Sequence, residues 1–475
     1  MFTSPSDPRT EHSGPVSNLQ AVIWLALFAA VVAVLGGSAR FDAVQAAALR
    51  PLAALFLIPA LYFISRESLR PALAPAAMLG LATLWMALQL VPLPPALWHA
   101  LPGREPIAQI DAMLGIEGTW RPVAWVPMRG WNALLAMVVP IAAMLLVVAL
   151  RPKVRVVLLV FVCMGVVDAG LGLLQTLSGN NPALYVYQHT NSGSPVGIFA
   201  NENHSAVFSA LMLVLIARLA FGHRRRGRSR ALDIALAAAF MIVLLGVLVS
   251  GSRAGIGLAL VALVATALMA WLWLRKPALE GDTAGRIAFA ASRPRLMVFL
   301  CAAAVAGLLY AMVQFERAPG VIDAFNQSAF EDLRWRIGPI LGDMIAQHWL
   351  VGSGFGSFDA VYLFYEPTSF QDQTYVNQAH NDWAQLVIEG GVPAILLLLA
   401  LGRWLFHAVG RIYAREAAAV ALCLFWCTVL AIFAAASLFD YPLRTPIFQL
   451  LAAWLVISLA FDMRDNIPLK QGGQG

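Results

Sequence analysis

Apolar runs long enough to cross a bilayer recur along nearly the whole chain, and nothing else in the sequence restricts its fold as strongly. Twelve candidate spans lie at roughly 19–37, 43–64, 72–91, 131–150, 156–177, 204–221, 231–249, 256–274, 296–313, 392–409, 417–436 and 446–461. Hydrocarbon offers no partner to a backbone N–H or C=O, so runs of this length are expected as helices, each satisfying its own backbone. With 60% hydrophobic and 12% charged residues among 475, a soluble multidomain protein is excluded. The expected fold is all-α, a polytopic membrane protein whose first span is retained, because no small-residue cleavage site follows it.

An even number of spans puts both termini on one side. Segments on that side carry 20 Lys and Arg, against nine on the other, although the other side's segments are longer in total. The bias predicts cytoplasmic termini, and it makes the basic cluster Arg224, Arg225, Arg226 and Arg228 a topology anchor. The net charge of +6 therefore calls for no nucleic-acid partner. Cys163, Cys301, Cys423 and Cys427 fall inside apolar runs, where a thiol behaves as a small hydrophobe, so neither a disulfide nor a zinc site is expected. Three arginines also fall inside runs. Arg218 and Arg403 lie near inner helix ends, where snorkelling suffices, and Arg50 precedes Pro51 and is read as marking a break in the second span.

The outside segments hold the polar motifs. Residues 92–130 are rich in Pro and Trp, which suits a loop lying along the membrane surface. Residues 178–203 lead into GIFANENHSA (197–206), where Asn201, Asn203 and His204 stand at the entrance to the sixth span; helix capping and substrate contact are both open. The short turn SGSRAG (250–255) places Arg253 where orientation has no use for a basic residue, which makes it a candidate functional side chain.

Residues 314–391 are too many for a plain connector. Within them 330–349 has apolar positions at helical spacing and predicts an amphipathic surface helix bearing Arg334 and Arg336, either anion-binding or paired with Glu331 and Asp332. The string GSGFGSF (352–358) lacks the strand-turn-helix setting of a nucleotide fingerprint and is expected as a flexible turn. In VNQAHNDWAQLVIEGG (376–391), Asn381 or Asp382 can cap a helix, with Gln385 completing a capping box and Gly390-Gly391 stopping it. His380 then stands beside the positive end of a helix dipole. That position suits a neutral general base near a phosphate, or merely a residue that helps the cap. No set of carboxylates and histidines has metal-ligand spacing, so neither a metal nor another cofactor is expected.

Arginines and one histidine on a membrane face suit an anionic, lipid-borne substrate. Guanidinium groups bind pyrophosphate oxygens bidentately and neutralise charge on a departing diphosphate, while a neutral histidine can take a hydroxyl proton. The ordered set GIFANENHSA, SGSRAG, LRWRIGPILGDMIAQHWLVGSGFGSF and AHNDWAQLVIEGGVP resembles the O-antigen ligase and polymerase superfamily of bacterial envelope glycosyltransferases, over roughly 195–405. The resemblance implies a helical fold of the type found among lipid-linked-sugar glycosyltransferases, in the inner membrane, with a large periplasmic loop. It divides the chain into N-terminal helices (1–195), a ligase or polymerase core (196–405) and C-terminal helices with a tail (406–475). It implies transfer from an undecaprenyl-diphosphate-linked glycan to an acceptor glycan or lipid A-core, with Arg253, Arg334 and His380 catalytic. Polymerisation of O-antigen or exopolysaccharide repeat units is the alternative, and a transporter or flippase of the lipid-linked glycan, which would place its polar residues at mid-membrane, is a further one. Arg336, Asn201, Asn203, His204 and Asn381 would contact substrate, and Arg336 is the alternative to Arg334 as the loop arginine.

Overall fold

The computed structural model describes residues 17–191, 193–221, 230–275, 336–370, 376–414 and 419–464. The chain is an all-α, multi-pass membrane protein. Ten described helices are long and apolar enough to span a bilayer, and an eleventh, Pro446–Asp462, is shorter. In chain order they are α1 (Asn18–Leu35), α2 (Val44–Phe63), α3 (Arg66–Leu88), α4 (Pro127–Leu150), α5 (Val154–Leu177), α6 (Glu202–Phe221), α7 (Arg230–Val249) and α8 (Arg253–Leu274). After the amphipathic α9 (Gly338–His348) come α10 (Asp382–Tyr413), α11 (Val420–Phe439) and α12 (Pro446–Asp462). Eleven of the expected spans thus coincide with helices, and the one at 296–313 lies outside the described residues. The described sheet is a single two-stranded pair, β1 (Pro92–Leu93) with β2 (Arg121–Pro122).

The centre of the bundle is α6, whose sequence is apolar on all sides. It is buried from His204 to Arg218 and packs against α5, α7, α8 and α11. Arg218 does not snorkel, contrary to expectation. It is buried between helices, with Nη2 3.1 Å from Asp462 and its guanidinium over the Phe425 ring. Asp462 also accepts from the Trp426 indole, so an intramembrane charge is neutralised by a partner that the sequence places 244 residues away. The second span is broken, as expected, but at Phe56 and not at Arg50-Pro51. The first part of α2 runs from Val44 to Leu55 through Pro51, the second from Leu57 to Phe63, and Arg50 Nη1 donates to Asn132 Oδ1 at 2.7 Å.

Loops gather at one end of the bundle and lock together. Arg104, 1% exposed, donates to the carbonyls of Val123 and Gly352 while lying between the Trp98 and Trp125 rings. Burial lowers Arg104 to about 10. Burial first, and the Arg104 charge second, pushes His348 down to about 4, so its ring is neutral near pH 7 and bonds the Tyr365 hydroxyl. These contacts fasten the Pro- and Trp-rich loop to α9, the described part of the expected amphipathic helix.

The string 352–358 is packed, not a flexible turn. Ser353 N and Gly354 N donate to the carbonyls of Ile388 and Glu389, while Gly356 N and Phe358 N donate to Glu389 Oε1. A methyl group at Gly352 would overlap the Glu389 carbonyl, and φ there is +79°. Gly352→Ala should therefore cost about 2 kcal/mol or more, combining left-handed strain with displaced backbone. Gly342→Ala, which meets nothing and lies in a helix, is the control that should be neutral or stabilising. Thermal unfolding of the detergent-solubilised protein measures both.

Gly390-Gly391 stops the helix that begins at Asp382, as expected from sequence, but a second helix follows it directly, so α10 is two helices joined across a kink. Gly391 has φ 62° and ψ −158° inside α10, and Pro393 supplies no N–H for the next turn. The carbonyls thereby released find partners: Trp85 Nε1 donates to Gly390 O, and Gln89 Nε2 donates to Glu389 O. Val392 N donates to the Trp349 carbonyl. The outer half of α10, from Asp382, is thus aimed independently of its membrane half.

Candidate active site

The segment that enters α6 is set by two buried side chains of α5. Asp168 accepts from Ile198 N and Ser205 Oγ, both at 2.9 Å. Gln175 Oε1 accepts from Val196 N and Gly197 N, also at 2.9 Å. The Tyr187 hydroxyl accepts from Gly37 N at 2.6 Å, and burial pushes its pKa up to about 12, so it stays protonated. These are anchors, and they fix the positions of Asn201, Asn203 and His204.

Asn201 is a capping residue: its Oδ1 accepts from Asn203 N at 2.8 Å. Asn203 reaches the next motif, accepting from Ser252 Oγ at 2.7 Å. Ser252 in turn accepts from Gly255 N and caps α8, of which half-buried Arg253 is the first residue. A hydrogen bond between short polar side chains thus joins the 197–206 motif to the arginine turn.

His204 is 1% exposed, with its ring edge-on to Tyr441 at 5.1 Å and against Phe199 and Phe448. His380 packs against the same residue, 5.0 Å between centroids. Between them lies Asp440: its Oδ1 is 3.9 Å from His204 Nε2 and 3.5 Å from His380 Nδ1. The two histidines share one buried carboxylate and one tyrosine ring. His380 has φ +49°, a left-handed conformation that few non-glycine residues adopt, and its Nδ1 is buried without a hydrogen bond. Strain held by surrounding packing clusters at functional positions.

The packing that holds it is at the start of α10. Asn381 is the cap, its Oδ1 accepting from Ala384 N at 3.0 Å. The expected Asp382 capping box is absent, for Gln385 Oε1 instead accepts from Ala379 N, just before His380. Asp382 accepts from Leu443 N and Ser437 Oγ, so it ties the His380 segment to the 440–445 turn. In that turn Arg444 spans two acids, 3.4 Å from Asp382 Oδ1 and 2.8 Å from Glu389 Oε2. Fully buried Glu389 thereby connects Arg444 to the glycine string that wraps it.

The structure therefore brings together Asn203, His204, the Arg253 turn and His380. Exposed Arg336 has its guanidinium 4.6 Å over the Phe370 ring. Arg334, with Glu331 and Asp332, lies outside the described residues. Among the described residues no group of three or more His, Cys, Asp or Glu side chains is arranged to hold a metal ion. Sequence reasoning missed Asp440, Tyr441, Arg444 and Glu389. The available signal was FDYPLR (439–444), which puts an acid and an arginine in a short outside turn between two apolar runs.

Residues 237–399 match the family model described as O-antigen ligase, a stretch that includes the Arg253 turn and the His380 segment. No curated protein matches the chain.

Proposed function

We propose that this chain, a member of the O-antigen ligase and polymerase superfamily, transfers a glycan from a polyprenyl-diphosphate carrier to an acceptor hydroxyl on the periplasmic face of a bacterial inner membrane. The observation that carries the reading is the pairing of His380 and His204 across Asp440, beside a turn whose Ser252 is bonded to Asn203. A carboxylate at His380 Nδ1 favours the tautomer with its proton there, leaving Nε2 free to accept.

In the proposed reaction Nε2 of His380 takes the proton of the acceptor hydroxyl as its oxygen bonds to the anomeric carbon of the donor sugar. The bond from that carbon to the diphosphate oxygen breaks, and its electron pair leaves with the polyprenyl diphosphate. Asp440 faces the imidazolium that forms. Arg253, with Arg334 from the outer loop, meets the charge that grows on the leaving group, so arginines fill the role that a divalent cation fills elsewhere. Asn203 positions the arginine turn through Ser252 and is a positioning residue, not a catalytic one.

The test is transfer by the purified full chain, given a polyprenyl-diphosphate oligosaccharide and a lipid-borne acceptor glycan. Glycan should move to the acceptor with release of polyprenyl diphosphate, and the rate should survive excess chelator. Activity lost to chelator and restored by magnesium or manganese would show the arginine reading to be wrong. Product length separates the chemistries: one intact glycan on the acceptor is ligation, and a growing ladder on the carrier is polymerisation.

A further inference from the structure

A cavity of about 550 Å³ opens at the loop-bearing end of the bundle and runs down between α2, α3, α4, α10 and α12. Its outer rim is polar and its depth apolar. The rim includes Asn377, Gln378, Asp382 and Arg444, residues that bracket His380 and Tyr441 in sequence, whereas Leu79, Leu397, Leu401 and Val456 line the lower wall. Along α3 the lining runs from Met86 to Pro75, about 16 Å at 1.5 Å per residue. A polar mouth above an apolar shaft of that depth fits an amphiphile standing in the direction of the lipids.

The charges on the wall narrow its headgroup. Arg40 pairs with Asp42, Arg129 with Asp359, and Arg444 with Glu389 and Asp382. Arg50 differs. It lies six residues into α2, about 9 Å below the helix start, and its partner is the neutral amide of Asn132. Among the described residues no carboxylate lies within ion-pair distance of it, so one guanidinium charge faces the cavity uncompensated. A cation kept inside a membrane helix at the wall of a cavity marks a ligand path.

We infer that this cavity holds the lipid anchor of the acceptor, with one phosphate-like group at Arg50 and a hydrocarbon chain along Leu79, Leu397, Leu401 and Val456. The inference rests on the transfer reading above. The donor's diphosphate needs two charges met, and Arg253, proposed to meet them, is absent from the cavity wall. The His380 segment stands between the two, with Gln378 and Asp382 on the cavity side and the ring of His380 against Tyr441 and Asp440. Two lipid-borne substrates entering from opposite sides would thus meet at one base.

The probe is a hexadecyl phosphate with a diazirine at its chain end, added to the full chain in phosphatidylcholine nanodiscs and mapped by peptide mass spectrometry. Labels should fall on the α10 segment around Leu397 and Leu401 and on α12 around Val456. Arg50→Gln should reduce labelling about tenfold, the worth of one charge-assisted hydrogen bond, while Arg50→Lys should retain most of it. Leu401→Trp, which fills the shaft without touching a charge, should also reduce it, and Arg253→Ala should leave it unchanged. Displacement of the probe by excess polyprenyl diphosphate would assign the cavity to the donor and overturn the inference. So would labelling equal in all variants. Labelling needs no turnover, so its failure is separate from failure of the transfer assay.

Discussion

His380→Ala should lower turnover by about 10²–10⁴, the usual contribution of a positioned general base, while binding the lipid-linked donor almost as well as the parent chain. The expectation follows from where the ring stands. It sits on Tyr441 with Nδ1 toward Asp440, which leaves one nitrogen for an acceptor and no contact that a donor diphosphate would lose. Asp440→Asn should reproduce a smaller part of the same defect. The amide keeps the shape but can present its N–H to Nδ1, which favours the opposite tautomer and gives no charge to an imidazolium. Single-turnover rates and donor binding, measured separately, check both variants. If donor affinity falls as far as turnover in His380→Ala, the residue holds substrate or merely completes the helix cap, and the base must be sought elsewhere.

The spans were legible in the sequence because their signal is one of length and composition, and a bilayer enforces helix on any such run. The polar motifs were legible for two other reasons: Arg253 sits in a turn where orientation has no use for a basic residue, and Asn203 and His380 stand where polar segments run into membrane helices. What could not be read is what depends on tertiary approach. Asp440 gains meaning only when α6 and α10 place a histidine on either side of it, and those histidines are 176 positions apart in the chain. Glu389 reads as a polar residue near a helix end until the glycine string closes over it. Arg218 was misjudged for the same reason, since its acid arrives from the far end of the chain. Local pattern shows where polar groups are needed, and packing alone says which of them meet.

Arg253→Ala should weaken donor use and turnover together, unlike the loss of the histidine. A guanidinium on the diphosphate makes charge-assisted bonds to the bound donor, and stronger ones as the leaving oxygen takes on charge. Its removal therefore raises the donor KM and lowers kcat, with the larger loss in kcat/KM, about 10²–10³ if it acts as a single charge-stabilising donor does at other transfer sites. Lysine keeps the charge without the planar fork and should restore only part of the loss. Asn203→Ala provides the internal comparison, because Asn203 reaches the arginine turn only through Ser252. It should shift kcat/KM in the same direction by less, and it should add nothing further to Arg253→Ala in the double variant, since an arginine that is gone needs no positioning. Steady-state kinetics against donor concentration decide the matter. A full, additive loss in the double variant would make Asn203 a substrate contact in its own right, and an Arg253→Ala chain with unchanged donor KM would remove the arginine from the diphosphate.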